Sequence, residues 1–406
     1  MRVRRQGIGH ARRRTGENRP PLILWMLAVC GVLWPPVAHA NEFAQLIFTP
    51  HFSLANPGAR SLGLGGAFAA LADDATAALA NPAGLVQLAR PEISIEGRNW
   101  SYSSPYTISG NVQGIPTGVG LDTEPGLRTA VSSDDDTGLS FLSYVHPVGR
   151  WSFALYRHLY LQYESTALTP WLFGGEIPLR YRYFDQTTSA ESLISSYGFS
   201  SAVRITDSFS LGLGLVLYEA DVTMTGSVHY WDDRDDPAGS PTTFSPQTLM
   251  TTTSLTQEDK DLGLTGGFLW SFAPSWRLGG KFREGPEIST SGAVTFGPAN
   301  HMGYPPGYVT PLQGVGSAKY PDTYGLGIAF RSPDGRWTAA FVWYRVTYSQ
   351  VPDSLDLDDQ TLEDGDELHL GGEYVFLGSK PLLALRAGAW LDPDHVMRAT
   401  SDSPYT

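Results

Sequence analysis

The sequence is almost without cysteine: Cys30 is the only one in 406 residues. A disulfide framework and a thiolate metal cluster are thereby excluded. Long apolar runs are missing too. Past the N-terminal region no stretch reaches the roughly 18 residues that a membrane-crossing helix needs. Charge is scarce, at 17% of residues, where a typical soluble domain carries roughly 25%. Basic charge is scarcest, with 28 Lys+Arg against 41 Asp+Glu and a net charge of −13. A nucleic-acid partner needs a basic face, so that class is excluded as well. What is plentiful is glycine, 44 residues, and aromatic side chains, 12%. Together these point to a large β structure.

Residues 1–40 read as a cleaved export signal. Arg2, Arg4, Arg5, Arg12, Arg13, Arg14 and Arg19 form a basic start, and Leu22 to Trp34 an apolar core. Val37-Ala38-His39-Ala40 ends in the small-x-small pattern of a signal peptidase site, with cleavage expected after Ala40. The leader holds Cys30, seven of the basic residues and one of the acidic ones, so the rest of the chain carries −19. A cysteine-free exported chain does not depend on thiol chemistry to fold.

Past residue 90 the dominant period is two. Phe209, Leu211, Leu213, Leu215 and Leu217 alternate with Ser210, Gly212, Gly214, Val216 and Tyr218. Trp276, Leu278, Gly280 and Phe282 alternate with Arg277, Gly279, Lys281 and Arg283, and Tyr324 to Arg331 repeats the pattern. One face is apolar; the other is small, polar or charged. A soluble sandwich would show Lys, Glu and Thr on its second face. Gly, Ser and Ala with scattered Arg suit the inside of a wide barrel whose outside meets lipid.

The connections alternate in length. Short turns are expected at 147–149, 206–208, 273–275, 333–335 and 378–380, and long polar connections at about 166–189, 227–257, 291–316 and 351–365. An up-and-down membrane barrel, with short periplasmic turns and long external loops, has this parity. Trp151, Trp276 and Trp337 each follow a short turn, at the height of an aromatic girdle. About eleven strands are expected: near 92–104, 137–146, 151–165, 190–205, 208–226, 258–273, 276–290, 317–331, 336–350, 366–377 and 381–391. Single-chain bacterial barrels have even numbers. The sequence after residue 391 is polar and ends Ser403-Pro404-Tyr405-Thr406. The expectation is a transmembrane antiparallel barrel over 91–406 that lacks its C-terminal strands.

Residues 41–90 do not alternate. They are rich in Gly and Ala, and Pro57 and Pro82 interrupt them. A short helix is expected over 75–79, capped by Asp73 or Asp74. A compact segment before a wide barrel reads as a hatch in its lumen, since such a barrel would otherwise be an open pore.

The run Gly65-Gly66-Ala67-Phe68 … Ala72-Asp73-Asp74-Ala75 … Asn81-Pro82-Ala83 resembles the hatch of the long-chain fatty-acid outer-membrane transporter family, which includes toluene and xylene uptake channels. Weaker likenesses extend the resemblance over most of 55–395. They include Phe282-Arg283-Glu284-Gly285-Pro286-Glu287 and Tyr320-Pro321-Asp322-Thr323-Tyr324-Gly325. The resemblance implies fourteen strands in all. It implies hydrophobic ligands that enter from outside, reach a hatch-blocked lumen and leave sideways through the wall. It carries over Asn81, Pro82 and Ala83 as the hatch motif, with Asp73 and Asp74 beside them as the gate. Pro57 to Gly66 is similar to the branch with type IX secretion shuttle proteins, which implies a rival role as a docking protein. A diffusion porin is the third reading.

No Gly-x-Ser-x-Gly elbow occurs, no histidine pair has metal-ligand spacing, and Gly63-Leu64-Gly65-Gly66 lacks the context of a phosphate loop. No catalytic residue, metal or cofactor is expected. His369 beside lumen serines is the one pairing a barrel hydrolase could use. Asp232, Asp233, Asp235, Asp236, Asp353, Asp356, Asp358, Asp359, Glu363, Asp364 and Asp366 read as solvated loop carboxylates. Arg204, Arg277, Lys281, Arg283, Arg331 and Arg386 fall in the polar phase and should face the lumen. They would hold the hatch or attract an anionic head group. Arg157 and Arg345 fall in the apolar phase, through a bulge or by lying above the lipid. The expected surroundings are outer-membrane lipid and lipopolysaccharide, and the expected state is a monomer.

Overall fold

A computed structural model describes residues 56–111, 114–118, 122–123, 125–174, 181–230, 244, 246–300, 302–312, 316–351, 360–392 and 398–399. The expected signal peptide and positions 41–55 lie outside the described residues. Eleven long strands make the barrel wall. They are β1 (Glu92–Asn111), β2 (Leu127–Val148), β3 (Trp151–Thr169), β4 (Asp185–Arg204), β5 (Phe209–His229) and β6 (Leu249–Ala273). There follow β7 (Trp276–Arg283), β8 (Thr323–Arg331), β9 (Trp337–Val346), β10 (Gly365–Phe376) and β11 (Leu383–Leu391). Each pairs antiparallel with the next in the chain. Among the described residues β1 and β11 do not pair with each other. No described helix is long and apolar enough to cross a membrane.

Burial along the strands is inside-out relative to a soluble sheet. On β5, Leu211, Leu213 and Leu215 are 42%, 71% and 56% exposed, while Ser210, Gly212, Gly214 and Val216 between them are buried. Large apolar side chains tolerate this only against lipid. The outward apolar row from Phe209 to Leu217 ends where Glu219 and Lys260, next in the same phase on β5 and β6, form an ion pair at 2.5 Å. That stretch matches the roughly 9–11 residues of a membrane-crossing strand. At the opposite edge Trp151, Trp276 and Trp337 are exposed. Each packs on another ring: Phe153, Phe330 and Tyr374.

The eleven strands fall where the alternation puts them, and the short turns fall at the five expected places. Several strands of the first half are longer than expected, however, whereas β7, β8 and β9 stop short of the expected 276–290, 317–331 and 336–350. β1 runs to Asn111, β2 starts at Leu127, β3 reaches Thr169 and β6 starts at Leu249. The stretch 291–316 is not plain loop either: Ser291–Phe296 pairs with β6 and with Val309–Pro311. Above the lipid-facing row the outward face meets water, so the apolar half of the alternation vanishes while the backbone ladder continues.

Residues 56–91 pack inside this wall. α1 (Ala59–Gly63), α2 (Ala77–Ala80) and a 3-10 turn over Pro82–Gln87 are joined by tight turns. Leu64, Phe68, Leu71, Leu79 and Leu85 are 2% exposed or less. α2 starts two residues later than expected. Asp74 does not cap it directly; its carboxylate accepts from the Thr76 N–H and hydroxyl just before it.

Candidate functional site

The inward wall residues explain why the lumen phase is so rich in glycine. An added Cβ at Gly212 would stand 2.3 Å from the Ala83 nitrogen. At Gly279 it would meet Ala69 O at 2.5 Å, at Gly371 Leu64 O at 2.3 Å, and at Gly388 Gly65 N at 2.1 Å. At Gly267 it would overlap the Asn81 side chain. These five positions, on five strands, are the footprint of the hatch, where only hydrogen leaves room for its backbone.

Polar bonds tie the two together around the circumference. From β1, Glu92 accepts the Ala75 N–H at 3.0 Å and Glu96 the Gly58 N–H at 2.7 Å. Ser143, Ser200 and Ser210 donate to the carbonyls of Ala75, Ala78 and Ala83. Tyr344 donates to Gly66 O, and His369 Nδ1–H donates to Gly65 O at 2.6 Å. The other ring nitrogen of His369 lies 3.0 Å from Glu367, so the ring is engaged without a serine.

Asn81 is the knot of the hatch. It is fully buried; its Nδ2 donates to Ala69 O at 2.7 Å and to Phe268 O of β6 at 3.1 Å. Its Oδ1 accepts the Ala83 N–H across Pro82. One side chain thereby joins both halves of the hatch to the wall. Asp73 takes Arg60 on one side and Arg331 at 2.5 Å on the other. Arg60 reaches on to grip Glu373 of β10 with two bonds, at 3.0 and 3.1 Å, and Arg386 of β11 closes the chain at 2.6 Å. Burial pushes the Asp73 carboxyl up, but the adjacent Arg60 and Arg331 guanidinium groups outweigh it and hold the group below the usual carboxylate range.

The six expected lumen cations therefore divide. Arg204 donates to Val86 O at 2.6 Å, Arg277 to the Gln87 side chain, Arg331 to Asp73 and Arg386 to Glu373. Those four serve the hatch and its wall contacts. Lys281, buried above them, donates to Asn56 Oδ1 and lies 5.0 Å from the Tyr344 ring centre. Arg283 is different. It is 2% exposed, its Nη2 has no hydrogen-bond partner, and its guanidinium lies 5.2 Å from the ring centre of Tyr160.

Around Arg283 stands a group of aromatic residues that the periodicity alone did not mark. Tyr160 meets Tyr218 and Tyr320 edge-on at 5.3 and 6.3 Å. Tyr156 and His158 pack against Phe141. The Tyr156 and Tyr160 hydroxyls and His158 Nδ1 are buried without a partner. Tyr156, His158 and Tyr160 occupy the lumen phase of β3, where other strands carry Gly, Ser or Ala. That departure was the available signal. Arg60, the hub of the ion network, gave none, because it precedes the alternating region.

Of the two arginines in the apolar phase, Arg345 pairs with Asp364 and Asp366 beyond the lipid-facing row. Arg157 donates to Leu139 O and to Ser195 Oγ at 3.0 Å. The carboxylates at 232–236 and 353–359 lie outside the described residues.

No curated protein sequence matches this chain. Among solved structures, the crystal structure of a Pseudomonas aeruginosa FadL homologue is 15% identical with a TM-score of 0.60, over 86% of this chain and 83% of that one. The CymD monoaromatic hydrocarbon channel is 16% identical over 85% and 86%, at a TM-score of 0.49. The Pseudomonas putida toluene transporter TodX is 16% identical over 86% of each chain, at 0.47. The first likeness shows the shared barrel fold. Residues 44–403 match the family described as "Outer membrane protein transport protein (OMPP1/FadL/TodX)", so the chain belongs to that family of outer-membrane transport proteins.

Proposed function

We propose that this protein carries small hydrophobic molecules with an anionic head, long-chain fatty acids foremost, passively across the outer membrane. The hatch, with Asp73, Asp74, Asn81, Pro82 and Ala83, is the gate that closes the lumen to water and ions. The carried molecule enters from outside, is held above the hatch, and leaves sideways into the membrane. The observation that carries this reading is Arg283: a buried guanidinium with an unused donor, set among tyrosine rings. A buried cation without a counter-charge is unfavourable. A carboxylate would satisfy it together with the free Tyr156 and Tyr160 hydroxyls, while the rings receive an apolar body. Ionisable groups inside a membrane protein mark ligand paths for the same reason.

The test is transfer of a labelled long-chain carboxylate and of the matching alcohol into proteoliposomes by the wild type and by Arg283→Met. The expected result is faster transfer of the carboxylate by the wild type and loss of that preference in the variant. A folded wild type that transfers neither compound would sink the transport reading and favour the docking role.

A further inference from the structure

The short turns close the end of the barrel that faces the periplasm in this class. Past its leader the chain carries −19, yet one sector of this end is basic. Arg150 ends the turn between β2 and β3, Arg204 ends β4, and Arg277 stands second in β7. All three fall in the lumen phase, because Ser152, Ala202 and Gly279, two residues along each strand, are buried. Their neighbours Trp151 and Trp276 are exposed on the outer face.

The three arginines meet around one turn of the hatch. Arg204 donates to Val86 O at 2.6 Å, and Arg277 donates to the side-chain oxygen of the next residue, Gln87. Arg150 lies against Arg204. Its guanidinium donates to Ile205 O at 2.7 Å, and its carbonyl accepts the Arg204 N–H at 2.9 Å.

A guanidinium carries five N–H donors, and these three use theirs on neutral oxygens alone. The one carboxylate in the turns that carry them, Asp207, forms no ion pair among the described residues. The far side of the hatch is different: there Asp73 and Glu373 match Arg60, Arg331 and Arg386. Arg150 and Arg204 are exposed, and Arg277 is half-buried. Arg150 makes no bond to the hatch, so holding the hatch does not account for it.

We propose that Arg150, Arg204 and Arg277 form a docking site for an acidic segment of a soluble periplasmic protein. Carboxylates at successive positions of such a segment fit the guanidinium forks one by one. Lipid phosphates meet the outward phase instead, where Trp151 and Trp276 stand. Opposite charge steers the partner to this end of an otherwise acidic barrel. Docking also acts on the hatch. Gln87 donates to Leu71 O at 2.8 Å and to Ala72 O at 3.1 Å. Ala72 holds a left-handed φ of 34° beside Asp73, a conformation that costs a residue with a Cβ. A carboxylate that draws Arg277 off Gln87 removes one tie between that strained bend and the wall, so docking loosens the hatch from below. The proposal does not depend on what the barrel carries.

The test uses the full chain in detergent with a fluorescent oligoglutamate as the probe, read by anisotropy. The wild type should bind it at low salt, with affinity falling steeply as salt is raised. Arg150→Gln with Arg204→Gln should weaken binding by about tenfold, and adding Arg277→Gln should weaken it further. Arg345→Gln, the same charge change at the opposite end, should leave it as it was. Arg150→Gln alone should give a smaller loss, and it serves even if the multiple variants misfold, since it touches no hatch bond. Bound probe should also speed protease cleavage within 56–90. Equal affinity in the wild type and in the arginine variants would overturn the site, as would no binding by the wild type. Displacement of the probe by inorganic phosphate at matched ionic strength would mean a small-anion site. Arginine-dependent binding to phosphatidylglycerol vesicles without binding of the probe would mean a lipid site. Either result overturns the protein partner. Cleavage unchanged by bound probe overturns the loosening.

Discussion

Asn81 shows how much a single amide can hold. Its two donors and one acceptor are all used within the protein, and it is sealed from water. Asn81→Asp turns the donor end into an oxygen facing two carbonyls. A buried polar group left without its partner costs about 1–3 kcal/mol, and here a charge is added. Asn81→Asp should therefore loosen the hatch more than Asn81→Ala, read as faster protease cleavage within 56–90 while the wall stays resistant. Asp73 makes a matching prediction with pH. Its carboxyl titrates lower in the folded protein than in the unfolded chain. The stability it contributes is thus present above the unfolded value of roughly 4 and is lost as pH falls through the folded one. Hatch protection should hold at neutral pH and fade only in strong acid. Asp73→Asn should lower protection at pH 7 and flatten that acid response.

At the level of the strand, the two faces make opposite demands. Leu213 stands in the middle of the lipid-facing row of β5, 71% exposed. Leu213→Arg should destabilise the barrel by about 2–4 kcal/mol, whereas Thr223→Arg, beyond the Glu219–Lys260 edge, should cost about 0–1 kcal/mol. Urea unfolding in lipid vesicles measures both. The same contrast explains what could be read beforehand. Between Phe209 and Leu217 lipid outside and hatch inside impose different residues on alternate positions, so strand and orientation were both visible. In the Thr-rich start of β6 or in Asp134-Asp135-Asp136 of β2 the outward face meets water and the apolar row is lost, although Thr253, Leu255 and Gln257 of β6 stay buried on the other face. The early end of the β2–β3 ladder at Phe141↔His158 was hidden for another reason: periodicity places a residue on a face but does not show which neighbour the ladder reaches. Arg157 stands out in the sequence because it breaks the phase; its bonds to Leu139 O and Ser195 Oγ are seen only in the structure. That residues 56–91 form a compact segment apart from the strands was legible through their small residues and lack of alternation, and the tyrosines around Arg283 were not, because a tyrosine on a strand suits either face.

Taken as a whole, the molecule is a barrel wall filled from within by residues 56–91. The hatch meets the wall backbone to backbone at Gly212, Gly279 and Gly388, and ion pairs through Asp73 and Glu373 close the remaining perimeter. In the uptake reading proposed above, water and ions are stopped by this packed segment while a hydrophobe takes a sideways route. Ion conductance is the direct readout of that plugging. Deleting residues 56–90 should convert a nearly silent protein in a planar bilayer into one with stepwise ion conductance, because a wide wall without its filling is an aqueous pore. A deletion variant that folds and inserts yet stays silent would mean that the wall closes its own lumen, and the plugging role of residues 56–91 would fall.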